Sequence, residues 1–301
     1  MKHTQPEVVT QDLLDELDRI STYDPVHLPG EIELMEAFRK QYPKLTQVAC
    51  FDTAFHRAMP RVAKLLPIPL RYEEMGVERY GFHGLSYAYL MEELKRLDPD
   101  AAKGRVILAH LGNGASLAAV LGGKSIDTSM SFTPASGMMM STRSGDLDPR
   151  LVNFLAKTGE MSPAQFDHLA NHESGLLGIS GTGSDMRDLL DLLDLEKPDD
   201  RAAKAVELFC YQAKKLIGSF AAALGGLDAL VFSGGIGENA PVIRERICEG
   251  LGFLGVELDS SRNAKSEGLI SPDARQVAVR VIRTDEELMI ARSVGRVLGL
   301  G

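Results

Sequence analysis

An aspartate, a histidine and an arginine each interrupt apolar or glycine-rich sequence in this chain. Asp52 follows the apolar run VACF and precedes Thr53, Ala54, Phe55 and His56. A carboxylate at the C-terminal end of a strand lies where α/β folds place ligands; capping a helix is the alternative use of the same residue. His83 sits between glycines in GFHG, after Arg79 and Tyr80, where a turn histidine is the plainer reading. Arg143 lies among small residues in MSTRSGDLDP, with Asp146 and Asp148 beyond it as simple ion-pair partners. Near the C-terminus RTDEELMIAR places Asp285, Glu286 and Glu287 at a strand end and helix start. Acids there cap helices, or can contact a magnesium ion.

Glycine-rich stretches supply the complementary chemistry, which is close backbone approach to an anion. In RVILAHLGNGASLAAV an apolar run meets His110 and breaks at Gly112-Asn113-Gly114 before resuming. That is the signal of a tight hairpin, and its glycines would also let N–H groups approach a phosphate. VFSGGIGEN carries an apolar strand into three glycines and Asn239, with a helix expected near Pro241; such a strand-to-helix turn suits an adenosine or phosphate group. GISGTGSDMR, ending in Asp185 and Arg187, is a second loop able to line a nucleotide. Two tempting motifs fail. LGGKS lacks the earlier glycine of a P-loop, with Ala118 in its place, and is followed by strand-like sequence, so it reads as a β-turn. Thr182 breaks the spacing of a serine nucleophile elbow, and no dinucleotide fingerprint follows a strand.

The elements that must position these residues follow from periodicity. Residues 6–19 predict a short amphipathic helix, Ser21–Pro25 a turn, 31–42 a second helix, and TQVACFDT a strand. Strands are expected at 105–110, 116–121 and about 125–129, joined by tight turns, and later at 228–235 and 277–284. Helices are expected from Pro149, from Pro163, over 202–224, and from Pro241. The acidic run 188–200 reads as a helix end and linker, and Met138–Met140 as core filling. Three meandering strands followed by two strands separated by helices resemble the ribonuclease H-like core of sugar kinases, actin and chaperone ATPases.

Bulk properties narrow the function. The 301 residues suffice for one large domain or two modest ones, and 44% hydrophobic with 25% charged residues is ordinary for a globular protein. A net charge of −9 without a dense basic run disfavours nucleic acid and anionic membrane as partners. Cys50, Cys210 and Cys248 form neither a disulfide framework nor a zinc spacing. With an N-terminus that lacks the apolar core of a signal peptide, a cytoplasmic location is expected.

Taken together and in this order, ACFDTAFH, RYGFHGLSY, HLGNGAS, DTSMSFTP, MSTRSGDLDP, ESGLLGISGTGSDMR, VFSGGIGEN and RTDEELMIAR closely resemble the acetate kinase family, which includes propionate and butyrate kinases. The resemblance runs from about Asp24 to the end. It implies an α/β fold with a ribonuclease H-like, actin-like ATPase core, a mixed sheet flanked by helices. The implied reaction is reversible transfer of the γ-phosphoryl of ATP to acetate or propionate, with Mg²⁺. Carried over by residue, Asp52, His83 and Arg143 become catalytic. His110, Leu111, Gly112, Asn113 and Gly114 become a phosphate loop. Asp185, Met186 and Arg187, with Gly235, Ile236, Gly237, Glu238 and Asn239, hold the nucleotide. Phe82 and Pro134 limit acyl length, and Glu286 helps place Mg²⁺. Residues 49–286 would form the nucleotide-binding domain, and 1–48 with the helix 287–301 a remnant of the N-terminal domain.

The family's second phosphate hairpin, Asn-x-Gly-Ser-Ser-Ser, and its His-Arg-x-x-His-Gly-Gly segment have no counterpart in this sequence. The second domain is therefore expected to be truncated, with exposed apolar surface and a homodimer as consequences. Three expectations stand: an enzyme working with one phosphate loop, half of a split kinase needing a separate N-terminal polypeptide, or a non-catalytic nucleotide-binding remnant. Smaller departures are Tyr87 where the family has a second histidine, Leu28 for an asparagine, and Ser131 and Ser141 for glycines.

Overall fold

A computed structural model describes residues 3–21 and 28–300. Strand β1 (Glu7–Val8) pairs antiparallel with β2 (Val48–Ala49). This corrects the helix expected over 6–19: Thr10 caps the helix Gln11–Ile20 by accepting from the Leu13 N–H, so the residues before it are free to pair as strand. It also shortens the strand expected at TQVACFDT, because β1 offers only two residues of ladder before the chain turns into Ala54–Ala58. Leu13, Leu14, Leu17 and Ile20 turn inward onto Ile32 of the helix Leu28–Gln41, making a small apolar cluster of their own. Of the turn expected at Ser21–Pro25, residues 22–25 lie outside the described residues.

The main sheet has the order β5-β4-β3-β6-β7. Strands β3 (Arg105–Leu111), β4 (Ala115–Leu121) and β5 (Lys124–Thr128) form an antiparallel meander, whereas β6 (Ala229–Ser233) and β7 (Ala278–Val281) run parallel to β3. Gly122 and Gly123 both have positive φ, 56° and 79°, which makes LGGKS a two-residue hairpin turn. Side chains alternate between the two faces of β3. Ile107, Ala109 and Leu111 join Val206, Phe209 and Ile217 of the long helix Asp200–Leu224, together with Met138–Met140; Val106 and Leu108 join Tyr87, Leu90 and Leu94 of the helix Gly84–Leu97. A sheet covered on both faces reads as continuous apolar runs, which is why β3 and β6 were visible in the sequence. The meander, the parallel pair and the helices on both faces make a ribonuclease H-like core.

One boundary differs near the glycines after β6. The helix expected from Pro241 is present as Pro241–Cys248, and a further short helix, Gly234–Asn239, precedes it. Gly234 has φ +75°, and a Cβ there would lie 2.7 Å from the Leu111 carbonyl oxygen. Only glycine lets the helix start so tightly against the end of β3.

Candidate active site

Asp52 leaves the β2 end and reaches a different helix from the one that follows it. Its carboxylate accepts from the His83 N–H (2.5 Å) and the Leu85 N–H (3.2 Å), and its backbone oxygen accepts from the Gly84 N–H (2.9 Å). Both readings of Asp52 thus meet: it sits at a strand end, and it caps the helix Gly84–Leu97 from across the chain. Gly84 is the hinge of this contact, since a Cβ there would fall 1.9 Å from the Asp52 oxygen.

His83 has φ 57°, a left-handed conformation that a residue with a side chain rarely adopts. Strain of this kind persists where the surroundings impose it, and here they do. His56, fully buried, hydrogen-bonds through Nε2 to the Phe82 carbonyl and through Nδ1 to Ser125 Oγ. The His83 ring stacks on His110 at 4.2 Å between centroids, and its Nδ1 meets Ser116 Oγ at 2.8 Å. Its Nε2 faces Gly114, and the His110 Nε2 faces Gly112. The stacked imidazoles therefore present their outer nitrogens to the Gly112–Gly114 turn.

That turn joins β3 to β4 as expected and is pinned by the Gly112 N–H on the Gly114 carbonyl (3.0 Å). Ser141 adds a second tie, its N–H and hydroxyl reaching the Asn113 backbone oxygen and Oδ1 at 3.1 and 3.3 Å. The serine that departs from a glycine pattern thus fixes the loop. Arg143 follows in the same segment and donates to the Pro134 carbonyl (3.3 Å). Asp146 accepts from the Gly137 N–H and Asp148 from the Arg150 N–H, so both acids serve local backbone.

Asp52, Phe82, His83, Pro134 and Arg143 line one cleft of about 590 Å³, walled otherwise mostly by apolar side chains such as Leu17, Ile20, Met35, Phe51 and Ile290, with His3, Glu31 and Thr53 as further polar members. Residues 185–187 and 235–239 are not among its walls. Asp185 caps the helix Met186–Leu193 and grips Arg187 through two hydrogen bonds on the surface, which holds its carboxyl down at about 2. Met186 and Leu111 turn their side chains into the core, leaving their backbones as the groups able to meet a ligand. Glu238 turns inward, where one carboxylate oxygen accepts from Ser233 Oγ and the Gly234 and Thr284 N–H groups, tying β6 to the end of β7. Asn239 closes the segment by donating to the Gly235 carbonyl.

Sequence reasoning missed Arg244. Fully buried, it donates to the carbonyls of Gly237 and Glu238, to both oxygens of the Asn263 side chain and backbone, and to Ser266 Oγ. It thereby holds the far end of the glycine segment. An arginine in RERIC at surface-helix spacing gave no sign of this. Ser86 and Thr284 were missed as well; Ser86 Oγ bridges His110 Nδ1 and Thr284 Oγ1 at 2.8 Å each.

Glu286 opens the last helix, Glu286–Leu298, with Asp285 as its cap. Burial raises its carboxyl above the usual range, and the charge of Asp52 pushes it the same way. Two carboxylates that repel each other across a site mark a place where a cation relieves the repulsion. Among the described residues no cluster of three or more His, Cys, Asp or Glu could hold a metal unaided. Mg²⁺ bound through one or two carboxylates, with phosphates and water completing its shell, needs no such cluster. The donor set present therefore fits Mg²⁺ delivered with a nucleotide.

Burial pushes His56 down to about 4, His83 to about 4 with Arg143 adding to the effect, and His110 to about 3 with His83 adding to it. All three are neutral near pH 7. The unfolded chain takes up protons at these histidines below its ordinary value of about 6.5, while the folded chain resists until pH approaches 4. Their stabilising contribution is thus complete above pH 6.5 and lost as pH falls toward 4. Thermal melts should show a lower Tm at pH 5 than at pH 7.5; equal melting temperatures would contradict the neutral assignment.

The site can now be set beside known proteins. A profile of the Acetokinase family matches residues 1–292. The propionate kinase of Citrobacter rodentium is 46% identical over 291 residues, covering 96% of this chain and 72% of that protein. An acetate kinase of Rhodopseudomonas palustris is 48% identical over 295 residues, covering 97% and 71%. The crystal structure of Porphyromonas gingivalis acetate kinase superposes with a TM-score of 0.92 at 38% identity, covering 99% of this chain and 75% of that one. With a family profile along nearly its whole length and close relatives in both sequence and structure, this chain belongs to the acetokinase family.

Proposed function

We propose that this protein transfers the γ-phosphoryl group of ATP to a short carboxylic acid, acetate or propionate, giving an acyl phosphate, and catalyses the reverse. The observation that carries this reading is the convergence of Asp52, His83 and Arg143 on one cleft whose remaining walls are mostly apolar. A carboxylate with a short alkyl tail needs such a pocket, with charge beside apolar surface, and Phe82 and Pro134 line it next to His83 and Arg143.

Attack of a carboxylate on a phosphoryl group gathers negative charge, so positioning and neutralisation must supply most of the rate. Arg143 supplies the positive charge, aimed at the equatorial oxygens of the transferring group. His83 supplies a hydrogen-bond donor from the other side of the turn, and the Gly112–Gly114 backbone cradles the phosphates. Asp52 orients the reacting groups and, with Glu286, would hold Mg²⁺. When bound, Mg²⁺ neutralises the phosphates and stabilises the charge on the leaving group. Asp185–Arg187 and Gly235–Asn239 hold the nucleotide, with Arg244 and Glu238 keeping the second of these segments in shape.

The same proposal divides the chain into residues 49–286, the nucleotide domain, and 1–48 with 287–301, the second side of the cleft. Ile290 shares the cleft wall with Leu17 and Ile20, which supports that grouping, and the Arg292–Glu92 ion pair (2.6 Å) forms its seam with the Gly84–Leu97 helix. Exposed apolar side chains on one helix and just after it, Leu34, Phe38, Tyr42 and Leu45, support a homodimer, and the apolar cleft wall offers a surface to a separate N-terminal polypeptide. Among the described residues no helix is long and apolar enough to cross a membrane; a cytoplasmic location completes the proposal. Formation of ATP from ADP and acetyl or propionyl phosphate, followed with luciferase, tests the reaction. Light output that depends on the acyl phosphate is expected, and output no greater than an enzyme-free control would overturn it.

A further inference from the structure

Tyr87 is the largest buried polar ring behind the cleft, with none of its surface exposed. Its hydroxyl meets Ser116 Oγ (2.5 Å), and Ser116 Oγ in turn meets His83 Nδ1 (2.8 Å). Ser116 is fully buried too. A buried phenol must place its hydrogen on an acceptor, and Ser116 Oγ is the acceptor within reach. The serine has one hydrogen of its own. If His83 carried its proton on Nδ1 and donated to Ser116, the two hydroxyls would share one contact between two hydrogens, and one of them would have no acceptor, a costly state for a buried hydroxyl. If Ser116 donates to Nδ1, every hydrogen in the chain is used. The imidazole proton then sits on Nε2, the atom that faces Gly114 across the phosphate turn.

We propose that Tyr87 and Ser116 form a proton-ordered relay, Tyr87 to Ser116 to His83, that locks His83 as a neutral Nε2–H donor aimed at the Gly112–Gly114 loop. Tyr87 is a positioning residue in this account: it touches no substrate and acts through the ring of His83. A neutral donor suits the place, because Arg143 already brings the positive charge and its field opposes a second one on His83. A histidine at position 87 could donate or accept and could take up a proton of its own. A tyrosine stays protonated near neutral pH, since burial raises its hydroxyl far above the usual range, and so always carries a hydrogen that needs an acceptor. The kinetic consequence rests on the kinase reading; the tautomer does not.

The test is nitrogen-15 NMR of the histidine-labelled full chain, which distinguishes the two neutral tautomers through the couplings of the ring carbon-bound protons to each nitrogen. In the unaltered protein His83 should show the Nε2–H pattern between pH 6 and 8; an Nδ1–H pattern or a fast-exchanging mixture would overturn the relay. In Ser116→Ala, which removes the hydrogen that His83 Nδ1 accepts, the pattern should become mixed, with kcat reduced on the order of tenfold to a hundredfold, the range for losing the outer partner of a functional imidazole. Tyr87→Phe leaves that hydrogen in place and should keep the Nε2–H pattern with the smaller loss. The KM for ATP should stay within about twofold. The double variant should be no worse than the more impaired single one, because both remove one relay. Retention of the pure Nε2–H pattern in Ser116→Ala would overturn the proposal even if that variant loses activity. If the protein makes no acyl phosphate at all, the kinase reading fails while the tautomer spectra still decide the relay.

Discussion

Replacing Arg143 with alanine should lower kcat by roughly 10³–10⁵, the range for an arginine acting on a transferring phosphoryl group, or on the order of 4–7 kcal/mol of barrier. The KM for ATP should change far less. The reasoning is differential binding: charge on the equatorial oxygens grows in the transition state, so a guanidinium aimed there contributes little to holding the ground state. The position supports this use. Arg143 shares the cleft with Asp52 and His83. Steady-state kinetics with varied ATP and varied acetate separates the alternatives. Equal losses in kcat and in ATP affinity would assign Arg143 to binding instead of catalysis.

Gly84→Ala should be severe although it adds a single methyl. The new Cβ would lie 1.9 Å from the Asp52 backbone oxygen, and a backbone atom cannot swing aside as a flexible side chain would. The helix start must move away from Asp52, and the Gly84, His83 and Leu85 hydrogen bonds to it weaken together. Overpacking of this kind costs typically about 1–3 kcal/mol, and the loss of capping adds to it. A drop in Tm with near-complete loss of activity is expected, since Asp52 and His83 are displaced in the same event. Gly183→Ala, where a Cβ would meet nothing within 4 Å, serves as the control and should melt with the unaltered protein. If Gly84→Ala melts with it and keeps its activity, the close approach does not position the site.

What could be read from the sequence depended on whether a residue's partners were near it in the chain. The hairpin from β3 to β4 was legible because its signal is local: two apolar runs flanking Gly112-Asn113-Gly114. The LGGKS turn was legible for the same reason, and so was the long helix before Gly225. Asp52 was legible only by half. Its place at a strand end could be inferred, but the helix it caps begins more than thirty residues later, and no local pattern announces that. Glu238 was placed in the nucleotide segment by the family resemblance; that its carboxylate joins β6 to Thr284 after β7 had no local signal, because the pairing is set by sheet order. The helix start at Gly234 was missed because the close pass of the Leu111 carbonyl, which demands the glycine, comes from another strand. Tyr87 was visible as a departure from the family pattern, yet its meaning depends on Ser116, which lies on β4.

The central claim is phosphoryl transfer to a carboxylate by this chain. Its most direct test is to incubate the protein with Mg-ATP, acetate and hydroxylamine and to measure the hydroxamate trapped from the acyl phosphate, with Arg143→Ala run in parallel. The account predicts hydroxamate that depends on acetate and ATP and falls at least a thousandfold in the variant, as removal of such an arginine does. Release of inorganic phosphate at the same rate with and without acetate, and no hydroxamate, would contradict it.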